Sequence, residues 1–137
     1  MDGFSPNIFN YLQQNRIGRL AAATLNGVPH LTAVGYANDD KRVIICSRTD
    51  TRKINLIRNN SKVSFIVDDT LGSSGWRYVL VEGDAELVED GKRFEDLKYL
   101  LCVKYPQMAD GVWAIRRGVH SFIVIKPNRV LTANLAP

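Results

Sequence analysis

Two neighbouring segments with alternating hydrophobicity constrain the fold of this chain more than any other feature. In KVSFIVDD, Val63, Phe65 and Val67 fall on one face. In WRYVLVEGDAELVED, small and apolar residues occupy every second position from 79 to 87, and acidic residues occupy positions 82, 84 and 86. A period of two is typical of strands that bury one face and expose the other to water. The two segments therefore predict half-buried strands of an antiparallel sheet.

The loop that joins these strands, DDTLGSSG, is polar and rich in glycine. It lacks the lysine of a phosphate-binding P-loop and the strand-to-helix context of a dinucleotide-binding turn. Turn chemistry therefore explains its glycines.

Three further segments are predicted to be short helices or helical turns. Ser5 and Pro6 begin an amphipathic helix in SPNIFNYLQQN, because proline is favoured at the first helical position. A second helix is expected from Thr51 to about Asn59, with Thr51 or the preceding aspartate as its N-cap. A third lies in GKRFEDLKYLLCVKYP, where apolar residues recur at helical spacing until Pro106 ends it.

The remaining strands come before and after these helices. Residues 16–47 predict a meander of three antiparallel strands, whose first turn is Asn26-Gly27. The last strand is SFIVIKPNRVLTAN, which Pro127 interrupts or bends because proline cannot donate to a ladder. The total is about six strands with two or three short helices. This predicts one mainly β domain over residues 1–137, a small closed or half-closed antiparallel barrel.

Cysteine usage and hydropathy exclude several classes of protein. Cys46 and Cys102 are not in a CxxC pair and have no histidine at metal-ligand spacing, so neither a disulfide framework nor a metal site is expected. The first residues lack the pattern of a signal peptide, and no apolar run reaches membrane-spanning length. A cytoplasmic protein without a membrane partner is the expectation.

Charge is distributed unevenly, although the net charge is only +4. From Lys41 to Lys62, a segment called the basic sector below, there are seven basic residues and one acidic residue. From Glu82 to Asp96 there are seven acidic residues and two basic ones. The basic sector is suited to an anion. It contains no aromatic residue, which disfavours a nucleic-acid ligand, because single-strand binding sites combine aromatic residues with cations.

The carboxylates that alternate along residues 82–86 are candidates for metal binding or acid–base chemistry. No histidine accompanies them, and alternating carboxylates on a strand normally face water. We therefore expect a solvated face at Glu82, Asp84 and Glu86.

The stretch SRTDTRKINLIRNN puts Arg52 and Lys53 in the first turn of the second helix. Cations there oppose the positive end of the helix dipole, by roughly 0.3 to 1 kcal/mol each at exposed sites. A phosphate would reverse this effect, because it would meet free backbone N–H groups, the Thr51 hydroxyl and two cations together. The alternative is that both side chains extend into solvent and Asp50 partly neutralises them.

These residues resemble the pyridoxamine 5'-phosphate oxidase family. Ser47, Thr51-Arg52-Lys53 and INLIRNNSKVSFIV are similar to the stretch in which a Ser-Arg-Lys triplet holds the phosphate of FMN and an Asn-Pro step leads into a Val-Ser strand. GWRYVLVEGDAELVED, the helix with LKYLLCVKY and the closing RVL are similar to the wider group of split-barrel flavin proteins, including deazaflavin-dependent members. The resemblance extends from about residue 15 to residue 131.

The resemblance implies a six-stranded FMN-binding split β-barrel that forms a homodimer, with two flavins bound across the interface. It also implies hydride transfer to or from a small organic substrate, performed by the cofactor and without a catalytic side chain that the sequence identifies. The strand from Thr32 to Tyr36 would run along the isoalloxazine ring. The implied cofactor-binding residues are Ser47, Thr51, Arg52 and Lys53 at the phosphate, Thr32, Ala33 and Val34 along the ring, and Trp113, in the region that a partner subunit would present.

The chain also departs from the family pattern. Thr51 stands for the usual serine, and Asn60-Ser61 replaces the common Asn-Pro. LTAVGY has no cation where the oxidase has an arginine and a lysine, and the oxidase's longer C-terminal substrate-binding end is missing. These departures weigh against oxidation of a pyridoxamine phosphate.

Several alternatives stay open at the level of sequence. FMN is the expected cofactor because of the phosphate triplet, and a deazaflavin is the alternative, whose acidic tail could meet Arg116, Arg117 or Lys126. A flavin- or haem-binding protein that stores or senses its ligand is the alternative to an enzyme. Residues without an assigned role are Trp76, His30 and His120.

Overall fold

The computed structural model describes residues 2–136, so the two ends of the predicted domain, residues 1 and 137, lie outside the described part. Three α-helices are present there: Pro6–Gln14 (α1), Arg52–Asn59 (α2) and Gly91–Lys104 (α3). Single 3-10 turns cover Gly72–Ser74, Pro106–Met108 and Gly111–Trp113. The strands are Ile17–Ala23 (β1), Pro29–Gly35 (β2), Ala37–Asn38 (β3), Val43–Arg48 (β4), Lys62–Thr70 (β5), Trp76–Val88 (β6) and His120–Ala133 (β7).

All seven strands of the described chain form one antiparallel sheet in the order β2-β1-β5-β6-β7-β4-β3. The two ends of this order, β2 and β3, are consecutive in sequence and are separated by Tyr36 alone. The sheet therefore curls so that its two edge strands come together at Tyr36 without pairing, which makes a half-closed barrel. This architecture confirms the predicted mainly β split barrel, with one strand more than the six expected.

The extra strand arises at Tyr36. Its side chain is fully buried, its hydroxyl donates to the carbonyl oxygen of Leu12 at 2.6 Å, and its ring packs edge-on against Phe65. The pairing of β2 with β1 ends at Gly35, and Ala37 pairs instead with β4. The meander expected over residues 16–47 is therefore wrong in its second step, because β4 pairs with β3 and β7 and not with β2.

The long β6–β7 ladder contains a β-bulge. Glu82 pairs with Arg129 and Gly83 pairs with Pro127, so Asn128 has no opposite residue. A Cβ atom at Gly83 would lie 2.2 Å from the carbonyl oxygen of Lys126, and only glycine permits this approach. Pro127 thus lies at a bend within β7. Of the two alternatives predicted from sequence, an interruption or a bend, the structure shows the bend.

Two apolar clusters lie on opposite faces of the sheet. The first fills the barrel and includes Leu12 of α1, Ile54 of α2 and Phe65 of β5. The second lies between α3 and the outer side of β4 and β7, where the rings of Phe94 and Phe122 meet edge to face at 4.9 Å. Ile54 thereby anchors helix α2 in the first cluster. The two free thiols, of Cys46 and Cys102, pack against the second cluster.

None of the helices in residues 2–136 has the length and apolarity that a membrane-spanning segment requires.

Candidate anion-binding site at the start of helix α2

Helix α2 begins at Arg52, directly after the loop that leaves β4. Thr51 is the N-cap residue with extended backbone angles, and its side chain makes no capping bond. The first intrahelical bond runs from the Asn55 N–H to the Thr51 carbonyl. The N–H groups of the first turn therefore have no acceptor within the helix. The predicted helix boundaries are confirmed, but the Thr51 hydroxyl is directed elsewhere.

That hydroxyl belongs to a small cluster with Ser47. The two side-chain oxygens lie 3.0 Å apart, and they approach the Arg48 carbonyl oxygen at 3.0 Å from Ser47 and 3.1 Å from Thr51. Two hydroxyl protons serve three contacts, so one contact always lacks a proton. Either hydroxyl can therefore turn its proton toward a ligand at the loss of a single neutral hydrogen bond.

Ion pairs remove most of the charge of the basic sector. Four of its cations are paired, as Arg42–Asp39, Arg48–Asp50, Arg58–Glu89 and Lys62–Asp84. Within the described residues, neither Arg52 nor Lys53 has a carboxylate oxygen within the 4.0 Å limit of an ion pair. Asp50, the expected neutralising group, instead binds Arg48 at 3.2 Å, and the hydrogen bond from Arg48 lowers the pKa of Asp50. Of the three cations that remain, Arg52 and Lys53 lie at the start of α2, and the third is Lys41.

Of these two cations, Lys53 is in the less favourable environment. Its side chain is half-buried, and this burial lowers the pKa of Lys53 below its ordinary value. Arg52 is exposed beside it. An ammonium group that has lost part of its water and has no anionic partner is unfavourable. A bound anion would compensate both this cost and the opposition to the helix dipole.

An open depression of about 450 Å³ lies against this helix terminus. It is the size of a small-ligand pocket and is mostly polar in character. Its lining residues are Thr49, Asp50, Thr51, Arg52, Asn55 and Arg58.

The wall of this depression is held by a hydrogen-bond chain that the sequence did not reveal. Glu89 accepts from Arg58 through both oxygens, each at 2.7 Å, and from the Ser121 hydroxyl at 2.7 Å. Because Ser121 gives its only proton to this carboxylate, the 2.8 Å contact between Thr49 and Ser121 has Thr49 as donor. Hydrogen bonds from Arg58 and then Ser121 lower the pKa of Glu89. These partners lie 31 and 32 residues from Glu89 in sequence, so no local pattern could identify them.

The residues expected along the flavin ring lie on β2, at the edge of the sheet. Val34 points into the barrel core and is 7% exposed, so only its backbone can reach a ligand. Ala33 is exposed on the opposite face, and Thr32 is half-buried with its hydroxyl directed toward the Ala33 carbonyl. Among the described residues, no hydrogen bond or ion pair joins these side chains to the start of α2.

Within residues 2–136, Trp113 is not part of the lining of the depression. It is 71% exposed in the turn Gly111–Trp113, which follows the Pro106–Met108 turn after α3. The structure therefore brings Ser47 into contact with Thr51, which Arg52 and Lys53 follow in the chain. Of these four predicted residues, Thr51 and Arg52 line the depression.

The charged candidates and His120 have partners within the chain, whereas Trp76 is exposed. Glu82, Asp84 and Glu86 pair with Arg129, Lys62 and Arg93, and the described residues contain no group of three side chains able to hold a metal. Trp76 is 63% exposed at the start of β6. The ring nitrogen Nδ1 of His120 accepts from the Arg116 N–H at 3.0 Å, and burial lowers the pKa of His120. Arg117 pairs with Glu95.

Comparison with known proteins identifies relatives of this chain. The sequence model of the pyridoxamine 5'-phosphate oxidase family matches residues 4–134. The 5a,11a-dehydrotetracycline/5a,11a-dehydrooxytetracycline reductase of Streptomyces rimosus is 30% identical over 96 residues, covering 66% of this chain and 68% of the reductase.

Solved structures agree with the family match. A FAD-binding protein from Mesorhizobium loti is 27% identical and superposes with a TM-score of 0.70, over 93% of this chain and 92% of the other. The heme storage protein of Vibrio cholerae superposes with a TM-score of 0.80 over 96% of both chains. At 13% identity, the second likeness is one of fold alone.

Proposed function

This chain belongs to the pyridoxamine 5'-phosphate oxidase family, and from that premise we propose that it is a flavin-dependent oxidoreductase. In this proposal a single split-barrel domain binds FMN at a homodimer interface and transfers a hydride to or from a small organic substrate. A deazaflavin is the alternative cofactor.

The observation that carries this proposal is the pair of unneutralised cations at the start of α2. Arg52 is exposed, Lys53 is half-buried, and both oppose the dipole of their own helix. A phosphate monoester is close to a dianion at neutral pH, so it matches two free cations. The N–H groups of the first turn and the two adaptable hydroxyls supply the remaining donors.

The flavin would supply the redox chemistry, and the protein binds and orients it. Ser47, Thr51, Arg52 and Lys53 hold the phosphate in this proposal. The ring would lie along β2, whose outer edge has no strand partner in the described chain and offers backbone N–H and C=O groups. Thr32 is the one hydroxyl of that strand that a ring heteroatom could meet.

The outer face of the sheet supports a homodimer. The register of β1, β2, β5, β6 and β7 aligns apolar side chains on the face turned away from the barrel core. Leu31 is 66% exposed and Ile17 is 56% exposed. An exposed apolar surface with polar residues among its members is typical of a protein–protein contact. Its members are Ile17, Leu31, Ala33, Ile66, Leu80 and Leu131, with the ion pairs Arg19–Asp68 and Arg129–Glu82 among them.

The visible absorption spectrum tests the proposal. The purified protein is recorded alone and after titration with FMN, with a deazaflavin and with haem. We expect saturable binding of a flavin at micromolar concentration or below. A chemical reductant should reduce the bound flavin, and an organic acceptor should then reoxidise it. Binding of haem alone would favour the storage alternative, and binding of none would contradict the proposal.

A further inference from the structure

The ion pair of Glu89 and Arg58 lies at the depression beside α2, through Arg58 in its lining. Arg58 lines the same depression as Arg52, six residues further along the helix. Six residues correspond to roughly 9 Å along the helix axis, and helical side chains incline toward the N-terminus. An anionic group that continued past a phosphate bound at Arg52 would therefore approach Arg58 next.

We propose that the Glu89–Arg58 pair is a specificity device that limits this pocket to a cofactor tail ending in a single phosphate. It would select against tails that carry a second phosphate or further carboxylates. This inference rests on the flavin site proposed above.

The charges support this selection. Arg52 and Lys53 have no carboxylate partner among the described residues, whereas Arg58 is engaged at both nitrogens by Glu89. A phosphate monoester, with a charge of about −1.5 to −2 at neutral pH, uses the two free cations. A further anionic group would meet a guanidinium that is already neutralised and would approach the Glu89 carboxylate itself.

Glu89 cannot easily leave Arg58 to accommodate such a group. Its oxygen also accepts from Ser121, which is fully buried and in turn accepts from Thr49. Rotation of Glu89 away from the pair would break its hydrogen bonds with Arg58 and with the buried Ser121 hydroxyl, whose proton would then turn to Thr49. The loss of these bonds to a charged group is unfavourable. The carboxylate is therefore held in place from two sides of the pocket.

The test compares FMN with FAD, whose tail carries a second phosphate. Dissociation constants of both are measured for the wild-type protein, for Glu89→Gln and for the double variant Arg58→Gln/Glu89→Gln. Glutamine keeps an oxygen for Ser121 and removes the charge. We expect Glu89→Gln to raise the affinity for FAD relative to FMN by about ten-fold, since one free cation is gained at close range. The double variant should return the ratio to the wild-type value.

If the affinity for FAD relative to FMN is unchanged in a folded Glu89→Gln variant, the inference is overturned. It is also overturned if the double variant does not restore the wild-type ratio of the two affinities. If Glu89→Gln does not fold, Arg58→Gln replaces it. That variant leaves Glu89 without Arg58 and should lower the affinity for FAD relative to FMN by a similar factor. An unchanged ratio of the two affinities would again overturn the inference.

A second pair of probes separates this inference from the proposed function. Inorganic phosphate and pyrophosphate are titrated into the same variants, and the backbone amide signals of residues 52–54 are followed by NMR. If no flavin binds the wild-type protein, the flavin proposal fails. A higher pyrophosphate to phosphate affinity ratio in Glu89→Gln would still support the charge selection, and an unchanged ratio would reject it.

Discussion

The side-chain oxygens of Ser47 and Thr51 lie 3.0 Å apart where β4 leads into helix α2. Both hydroxyls compete for one carbonyl oxygen, that of Arg48, so this contact is one that a ligand can reorganise at little cost. The two cations that follow are different, because the described chain offers them no carboxylate. The site thus combines adaptable donors with uncompensated charge, and its consequences are measurable.

We expect Lys53 to stabilise the complex with the cofactor and to destabilise the cofactor-free protein. In the unliganded chain, Lys53→Met removes a half-buried cation from the positive end of a helix dipole. We expect the free energy of unfolding to rise by about 0.5 to 1 kcal/mol, or at least not to fall, in urea denaturation without cofactor. Lys41→Met is the control, since Lys41 is an exposed cation outside any helix, and its change should stay within about 0.5 kcal/mol. A loss of more than about 1 kcal/mol in Lys53→Met would mean that Lys53 is a structural residue.

Two buried titratable groups should change the free energy of unfolding with pH in opposite directions in alkaline solution. Burial, followed by the charge of Arg16, lowers the pKa of Lys104 from 10.5 to about 8. From about pH 8 to 10.5 the unfolded chain therefore binds more protons at this group, and Lys104 makes the free energy of unfolding rise with pH. Burial, followed by Cys102, raises the pKa of Cys46 from 9.0 to about 12, so Cys46 makes the free energy of unfolding fall from about pH 9 upward.

Denaturation curves between pH 9 and 10.5 test these opposing slopes, in the window where both groups act. Relative to the wild-type protein, Lys104→Met should make the slope more negative and Cys46→Ala should make it more positive. Each difference should be at most about 1.4 kcal/mol per pH unit, the value for one proton. Equal slopes in all three proteins would show that these groups keep their ordinary pKa values in the folded chain.

Gly83 should be essential to the β-bulge. Its substitution by alanine would bring Cβ within 2.2 Å of the Lys126 carbonyl oxygen, and backbone would have to move. We expect Gly83→Ala to lower the free energy of unfolding by about 2 to 4 kcal/mol. Gly35→Ala is the matched control, because it is also a strand glycine but its Cβ would be 3.9 Å from the nearest atom. Equal effects of the two substitutions would contradict this account of the bulge.

Leu31 should be part of the contact between subunits. It is 66% exposed on the apolar outer face of the sheet. A charge within a hydrophobic interface is strongly unfavourable, so Leu31→Asp should shift the protein from dimer to monomer in gel filtration with light scattering. Leu25 is 78% exposed in the β1–β2 turn, and Leu25→Asp should leave the dimer intact. A wild-type protein that elutes as a monomer would contradict the proposed interface.

Much of this fold could be predicted from local patterns, because those patterns have local causes. The alternation over residues 62–88 corresponds to β5 and β6, and α2 starts and ends within a residue of its predicted bounds. The division of the second strand run at Tyr36 could not be predicted in this way. It depends on the burial of one tyrosine beneath α1, which is a tertiary contact.

The candidate site shows the same division. The cations at the start of α2 could be read from sequence, because a helix start and its charges are adjacent in the chain. The absence of carboxylate partners for these cations could not be predicted from sequence, because it depends on which acidic residues pair with the other cations of the basic sector. Those pairs are Asp84 with Lys62, Glu89 with Arg58, and Asp50 with Arg48.

The most direct test of the central claim is the affinity for FMN of four proteins, measured by flavin fluorescence in the same buffer: wild type, Arg52→Ala, Lys53→Ala and the control Lys41→Ala. We predict micromolar or tighter binding by the wild type and by Lys41→Ala. Arg52→Ala and Lys53→Ala should each bind more weakly by about 1.5 to 3 kcal/mol, the contribution of a charge-assisted hydrogen bond. Absence of FMN binding by the wild type, or unchanged affinity in both site variants, would contradict the assignment of this helix terminus as the phosphate anchor.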